Sequence, residues 1–378
     1  MKVEGFKKIT IIGMGLMGGS MALALKKSGF KGKIIGCDAS LETLKAAKTV
    51  GAVDRVYQAP EEAVKNTELL VLATPVGYYR EVLAKTAPFL SKKVIVTDVG
   101  SVKGYVERIV EQYLPKDIQF IGGHPMAGSE QSGFRAASPF LYQNAYYFLT
   151  PKHDTHRDTI KKVRAFVEGL GAYPVVTDAG EHDQIAAGIS HIPQLSAVLL
   201  ASMLDGEKSR SYTSFVGGGF RDSTRIASGN PEMWKDIFLF NKKEVLVGIE
   251  TLEGLLRDFK HNLAAEREGG ILHRLQRAKR IRDGIPHSSK DYTPPLYELV
   301  LDVKDRPGIL GDLTRLMGNN NINIKEIEIL HAREDEGGAL RMSFSSREMH
   351  TKARDILTKE GFSLTHQKGG GIADAEDQ

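Results

Sequence analysis

Short apolar runs and amphipathic stretches take turns along the first half of the chain. Ile9-Thr-Ile-Ile12, Lys33-Ile-Ile-Gly-Cys37, Leu69-Leu-Val-Leu-Ala73, Lys93-Val-Ile-Val-Thr97 and Ile118-Gln-Phe-Ile121 are short, bounded and rich in β-branched residues, so each reads as a buried strand. Tyr146-Tyr-Phe-Leu149 and Tyr173-Pro-Val-Val176 read as two more, with a helix near Arg157 to Gly169 between them. Strands alternating with helices predict an α/β fold, a parallel sheet covered on both faces. From about Ala179 the period changes. Glu181 to Met203, Pro231 to Arg257 and Arg257 to Asp283 are apolar at helical spacing, which predicts an all-helical second domain. Gly284 to Pro295 is rich in Pro, Ser and Gly and reads as a linker. Beyond it, strand patterns at Tyr297–Val303, Ile322–Leu330, Ala339–Phe344 and Phe362–His366 enclose helices at Ile309–Asn319 and Thr351–Gly361. That βαββαβ order predicts a ferredoxin-like module. The expected divisions are 1–178, 179–284, a linker at 285–296, 297–368, and a disordered tail at 369–378.

The first strand runs into Gly13-Met14-Gly15-Leu16-Met17-Gly18, a helix follows from Ser20 to Lys27, and the second strand ends on Asp38. A glycine pattern alone is a weak signal. Set between strand and helix, with an acid about twenty residues on, it predicts a Rossmann-like dinucleotide site. Gly13 permits the tight turn, Gly15 lets backbone approach a pyrophosphate, and Gly18 lets the helix pack closely on the strand. The helix N-terminus offers free N–H groups to the phosphates. Asp38 would bond both ribose hydroxyls and repel a 2′-phosphate, and no Arg or Lys follows through Leu44, which favours NAD over NADP. Ligands of such sheets sit beyond the carboxyl ends of the strands. Thr74-Pro75, Ser101 and His124 all fall there.

Composition narrows the partners. The 378 residues carry a net charge of +4, too small to argue for nucleic acid, and the basic patch at Lys279-Arg280-Ile-Arg282 reads as a solvated helix end. Cys37 is the one cysteine, so no internal disulfide forms; it reads as a packing residue in a reducing compartment. The N-terminal residues lack a signal-peptide core and no apolar run has the length of a membrane span, so a cytoplasmic protein without a membrane partner is expected.

The glycine turn, Asp98-Val-Gly-Ser101-Val-Lys103, Gly122-Gly-His124-Pro-Met-Ala-Gly-Ser-Glu130, Ser190-His191-Ile-Pro-Gln194 and Gly219-Phe-Arg221-Asp-Ser-Thr-Arg225 form a distinctive set of five segments. Together they resemble the prephenate dehydrogenase family in its form with a C-terminal ACT domain. The resemblance implies NAD-dependent oxidative decarboxylation of prephenate to 4-hydroxyphenylpyruvate, in L-tyrosine biosynthesis. It implies His124 as the proton acceptor, a role an imidazole suits near pH 7. Ser101 would bond that histidine near the nicotinamide, or serve as an ordinary helix N-cap. Lys103 reads as a solvated first-turn lysine and Trp234 as a packing residue. His191 would lie in the substrate pocket. Arg225 would fork onto a substrate carboxylate, with Arg221 as rival. Glu130 would stand at the mouth of the site. The implied NAD contacts are Gly13, Gly15, Leu16, Met17, Gly18, Asp38, Thr74, Pro75 and Ser101, with no metal. Asp305, Gly308 and Asn323 match effector positions of ACT domains, for which L-tyrosine is the natural ligand, and the helical domain is implied to form a homodimer. Arogenate dehydrogenase, with an amino acid side chain on its substrate, stays open. So does a non-catalytic sensor of nucleotide and amino acid.

Overall fold

The computed structural model describes residues 5–128, 131–206, 211–285, 297–303, 306–333 and 336–365. It divides into two compact units, Met1–Arg282 and Asp283–Gln378. The linker and tail expected at 285–296 and 369–378 lie almost wholly outside the described residues, as do Glu130 and Asp305.

The first unit is built on an eight-stranded sheet in the order β3-β2-β1-β4-β5-β6-β7-β8. Its strands are β1 (Lys8–Ile12), β2 (Lys33–Cys37), β3 (Arg55–Tyr57), β4 (Leu69–Leu72), β5 (Ile95–Asp98), β6 (Gln119–Pro125), β7 (Tyr146–Pro151) and β8 (Tyr173–Val176). Side chains alternate across a sheet, so a strand that is apolar at every position must have cover on both faces. β4 shows this directly. Leu69 and Val71 join a core with Ile9, Ile11, Met21 and Phe166, whereas Leu70 and Leu72 join a core with Ile12, Ile35, Val96 and Val106. Each such side chain removed from water is worth about 1.5–3 kcal/mol.

Several features differ from the sequence reading, beginning with β3, an eighth strand beyond the seven expected. The glycine-turn helix spans Leu16–Lys27, so it starts at the turn itself and not at Ser20. β6 continues through His124 to Pro125. Finally, β7 runs antiparallel to β6, with His124 opposite Phe148, while β8 is parallel to β7. The cause is the connection: between β6 and β7 the only helical element described is a single turn, Phe134–Ala136, whereas a parallel return needs a crossover.

The helical part follows. The stretch read as one helix from Glu181 to Met203 is an α-helix (Ala179–Ala186), a π turn (Ala187–His191) and a second α-helix (Ile192–Ser202). By length and composition this is the one described helix apolar enough to cross a membrane, but it is interrupted by buried polar side chains: His182, Asp183, His191 and Gln194. Helices Pro231–Phe240, Lys242–Ala264 and Glu268–Asp283 complete the unit.

The second unit has β9 (Tyr297–Val303), β10 (Ile324–Arg333), β11 (Glu336–Phe344) and β12 (Ser363–Thr365) in the order β10-β11-β9-β12. Its helices are Ile309–Asn319 and Arg347–Lys359. Leu301, Leu313, Met317, Met342, Phe344 and Leu357 form its core, which is the predicted ferredoxin-like arrangement. Gly308 opens the first helix at φ +90°, a left-handed conformation that favours glycine, and Asn323 is exposed.

Candidate active site

β1 delivers the chain into the glycine turn. Gly13 has φ +96°, and a Cβ there would lie 2.5 Å from the Ala73 carbonyl carbon. A Cβ on Gly18 would lie 1.9 Å from the Gly13 oxygen, so strand and helix meet only because both residues are glycine. Gly15 is different: a Cβ there would meet nothing within 4 Å. Its freedom serves open space in front of helix Leu16–Lys27, whose first turn has no side-chain cap and no acid to compete with an incoming anion. Leu16 and Met17 line this first turn, half-buried. Asp38, at the end of β2, accepts from Met14 N at 2.8 Å and Ser40 N at 2.9 Å, which holds its carboxylate beside the turn. Across the turn stand Thr74 and Pro75, and the buried Thr74 hydroxyl has no hydrogen-bond partner. An open phosphate cradle, a held acid and an orphaned hydroxyl suit a dinucleotide.

Beside this turn β5 ends on Asp98 and β6 carries Gly123 and His124. Lys103, read from sequence as solvated, is fully buried. Its Nζ donates to Asp98 Oδ2 at 2.5 Å and to the Gly123 carbonyl at 2.6 Å, while Gly123 N donates to Asp98 Oδ1 at 2.9 Å. Gly100 N and the Tyr79 hydroxyl also bond Asp98 Oδ2, at 2.9 and 3.2 Å. Burial lowers the Lys103 pKa, and the Asp98 charge opposes that shift. This buried pair clamps the strand position next to His124.

His124 is almost fully buried, and burial, with help from nearby His182, Lys103 and His191, holds its pKa well below the ordinary histidine value. It is therefore neutral at pH 7. Its Nδ1 lies 2.8 Å from His182 Nε2, and His182 Nδ1 lies 2.8 Å from Asp183 Oδ1. Asp183 in turn accepts the backbone N–H of Lys103 at 2.7 Å and of Gly104 at 2.9 Å, the first residues of helix Lys103–Tyr113. Burial alone would raise the Asp183 pKa; the hydrogen bonds from His182, Lys103 and Gly104 outweigh it and leave it below the usual carboxylate range.

His191 closes the cluster. Asn241 Nδ2 donates to the Asp183 carbonyl at 2.9 Å and lies 3.1 Å from His191 Nδ1. Because a carbonyl only accepts, the amide must present its NH2 group there, so His191 Nδ1 accepts and Nε2 carries the hydrogen. That Nε2 is buried and unpartnered. Trp234 packs edge-on against the His191 ring, with centroids 6.2 Å apart.

The structure thus brings together the predicted His124 and His191 with four residues that sequence reasoning missed or read otherwise: Lys103, His182, Asp183 and Asn241. Ser101 is half-buried nearby, but no hydrogen bond joins it to His124, whose Nδ1 is taken by His182, and the helix N-cap is Val102. Arg225 is exposed at the start of the turn Arg225–Ser228, outside the buried network. Arg221 is exposed as well. Among the described residues no group of three or more His, Cys, Asp or Glu could hold a metal ion.

Residues 21–176 match the nucleotide-binding domain of prephenate dehydrogenase, residues 178–277 its dimerization domain, and residues 297–364 the ACT domain. The chain is 36% identical to the prephenate dehydrogenase of Bacillus subtilis (strain 168) over 352 residues, 92% of this chain and 95% of that protein. A crystal structure of prephenate dehydrogenase from A. aeolicus in complex with hydroxyphenyl propionate and NAD+ superposes with a TM-score of 0.70 at 35% identity. It covers 74% of this chain and 99% of that one. Synechocystis arogenate dehydrogenase superposes with a TM-score of 0.64 at 30% identity, covering 73% of this chain and 99% of that one.

Proposed function

The chain belongs to the prephenate dehydrogenase family, and on that premise we propose that it converts prephenate to 4-hydroxyphenylpyruvate and CO2 with reduction of NAD+. The observation that carries this reading is a neutral, buried His124 at the carboxyl end of the same sheet that carries the open glycine turn.

Bound NAD+ supplies the acceptor for the hydride leaving the hydroxyl-bearing ring carbon. The residues of this chain do the rest. Gly15 and the uncapped helix start would hold the pyrophosphate, Asp38 the ribose hydroxyls, and the Thr74 hydroxyl would gain a partner. His124 takes the proton of the substrate hydroxyl on Nε2, since Nδ1 is engaged by His182. The ring carboxylate then departs as CO2, its bonding pair entering the ring as it becomes aromatic, and His124 returns the proton to the phenolic oxygen. His191 Nε2–H, a buried donor with no partner, is positioned to meet an acceptor oxygen on the substrate. Arg225 supplies a guanidinium for a substrate carboxylate. Ser101 and Glu130 are assigned to the edge of this pocket by family resemblance.

Two assignments complete the reading. The helical domain forms a homodimer through its exposed apolar side chains, among them Leu199, Met203, Leu246 and Leu256. The ACT module binds L-tyrosine through Asp305, Gly308 and Asn323 and lowers activity. Full-length Asn323→Ala should lose tyrosine inhibition while keeping its rate without tyrosine; unchanged inhibition refutes that site.

The activity test is direct. NADH absorbance should grow when the purified chain meets NAD+ and prephenate, and His124→Asn should abolish that growth without changing NAD+ affinity. Arogenate run beside prephenate identifies the preferred side chain. Absence of NADH with either substrate overturns the proposal in favour of a sensor.

A further inference from the structure

We propose that His182 and Asp183 are positioning residues that fix the tautomer of His124, an inference that rests on His124 being the proton acceptor. The chain of hydrogen bonds decides each proton in turn, starting from its anchored end. The N–H groups of Lys103 and Gly104 can only donate, and they sit 2.7 and 2.9 Å from the two oxygens of Asp183. An ionised carboxylate only accepts. His182 Nδ1, 2.8 Å from Asp183 Oδ1, must therefore carry a hydrogen. In a neutral ring this leaves His182 Nε2 as a bare acceptor. His124 Nδ1, 2.8 Å from it, must then carry a hydrogen too. The neutral His124 ring is left with its lone pair on Nε2, the atom that has to take the substrate's proton.

With Asp183 ionised and both rings kept neutral by burial, any other order sets two hydrogens or two lone pairs face to face at 2.8 Å. The geometry is also stiff. His182 is fully buried and lies edge-on to Phe148, centroids 5.4 Å apart, and Phe148 is the register partner of His124 across β6 and β7. The helix that carries His182 starts on an Asp178 cap, whose side chain accepts from Glu181 N at 2.9 Å. Asp183 is held by the start of a different helix, Lys103–Tyr113. Neither residue needs to touch the substrate. Their effect reaches it through one ring.

Asp183→Leu separates this role from simple packing. Oδ1 of Asp183 takes both the Lys103 N–H and the His182 Nδ1–H, and Oδ2 takes the Gly104 N–H, so loss of the carboxylate leaves His182 Nδ1 without an acceptor. His182 is then free to carry its hydrogen on Nε2 and donate to His124 Nδ1, which puts the His124 hydrogen on Nε2. The readout is the ring 15N shifts of histidine-labelled, full-length enzyme with NAD+ bound at neutral pH, together with steady-state kinetics on prephenate. In the unmodified enzyme His124 should show a protonated Nδ1 and a bare Nε2. In Asp183→Leu the single Nδ1-protonated form of His124 should be lost, and kcat should fall at least about a hundredfold, with KM for prephenate and NAD+ unchanged. His182→Gln, whose carbonyl can still accept from His124 Nδ1–H, should keep the tautomer and stay within about tenfold of the parent rate.

An Asp183→Leu enzyme with an unaltered His124 tautomer and rate overturns the inference, while an inactive His124→Asn enzyme beside it leaves the acceptor assignment standing. An active His124→Asn enzyme overturns the acceptor assignment and this inference together. If Asp183→Leu does not fold, His182→Leu, which removes the acceptor, must lose the single Nδ1-protonated tautomer of His124 and at least a hundredfold in kcat. Retention of both overturns the inference.

Discussion

Acid should destabilise this protein through His191, by an amount the ring's surroundings set. Burial displaces its pKa from 6.5 down to about 4, with the nearby Asp183 charge opposing and His182 adding to the shift. The hydrogen bond explains why relief is unavailable: a proton on Nδ1 would face the Asn241 NH2 at 3.1 Å, donor against donor. The unfolded chain binds that proton at about 6.5, the folded chain only near 4. The stability carried by the neutral ring is therefore complete above pH 6.5, erodes below it, and is lost as pH passes about 4. Between pH 8 and pH 4 this amounts to about 3 kcal/mol. Burial displaces His124 and His182 downward too, so the whole protein loses more than His191 alone contributes. Comparison with His191→Gln isolates the one ring. Urea unfolding followed by the fluorescence of Trp234, the single tryptophan, reads the site directly because its ring lies 6.2 Å from His191. The unmodified protein should lose about 3 kcal/mol more than the variant over that pH range. Equal losses would show that His191 titrates freely in the folded state, and the packed, neutral ring would be refuted.

Lys103→Met strands the buried Asp98 carboxylate and the Gly123 carbonyl and should cost about 3–5 kcal/mol in urea unfolding; a cost below about 1 kcal/mol would mean that the pair does not clamp β6. Gly15→Ala should leave thermal unfolding unchanged, since φ is −72° and the space is open, yet weaken NAD+ binding about tenfold or more by titration calorimetry. Undiminished NAD+ affinity would remove the pyrophosphate from that space. Arg225→Gln should raise KM for prephenate with little change in NAD+ affinity, and an unchanged KM would show that the exposed guanidinium holds no substrate carboxylate.

The parts of the fold that were legible in sequence are those whose cause is local. The glycine turn and Asp38 lie within one strand-helix-strand unit, and the helix Ile309–Asn319 and strand Tyr297–Val303 appear with the bounds their periodicity predicts. What escaped depends on partners far along the chain. Lys103 looks like any first-turn lysine until Asp98 and Gly123 converge on it. Asp183 meets the Lys103 backbone across 80 residues, His182 meets His124 across 58, and Asn241 meets His191 across 50. A weak signal did exist: adjacent His182 and Asp183 lead into the largely apolar stretch from Ile185 to Met203, where uncompensated polar groups are costly to bury. β7 was misdirected because its apolar pattern is the same in either direction, and only the absence of a crossover helix before it hinted at the reversal.

The π turn shows how backbone irregularity completes the site. His182 and His191 are nine positions apart. In a regular α-helix, at about 100° per residue, that spacing puts them on opposite faces, and a continuous helix through Glu181 to Met203 would have aimed one of them away from His124. The wider turn at Ala187–His191 absorbs one extra residue, which takes back about 100° and leaves the two rings within roughly a quarter turn of each other. Asn241 then reaches both the Asp183 carbonyl and His191 Nδ1 from a single amide. The π turn thereby sets His182, which orients the strand-borne His124, and His191 toward one side of the same helix. One ring is oriented through Asp183 and His182, the other through Asn241. In the proposed reaction the two histidines would offer opposite hydrogen-bonding character, a bare Nε2 on His124 to remove a proton and an Nε2–H on His191 to hold an anionic substrate.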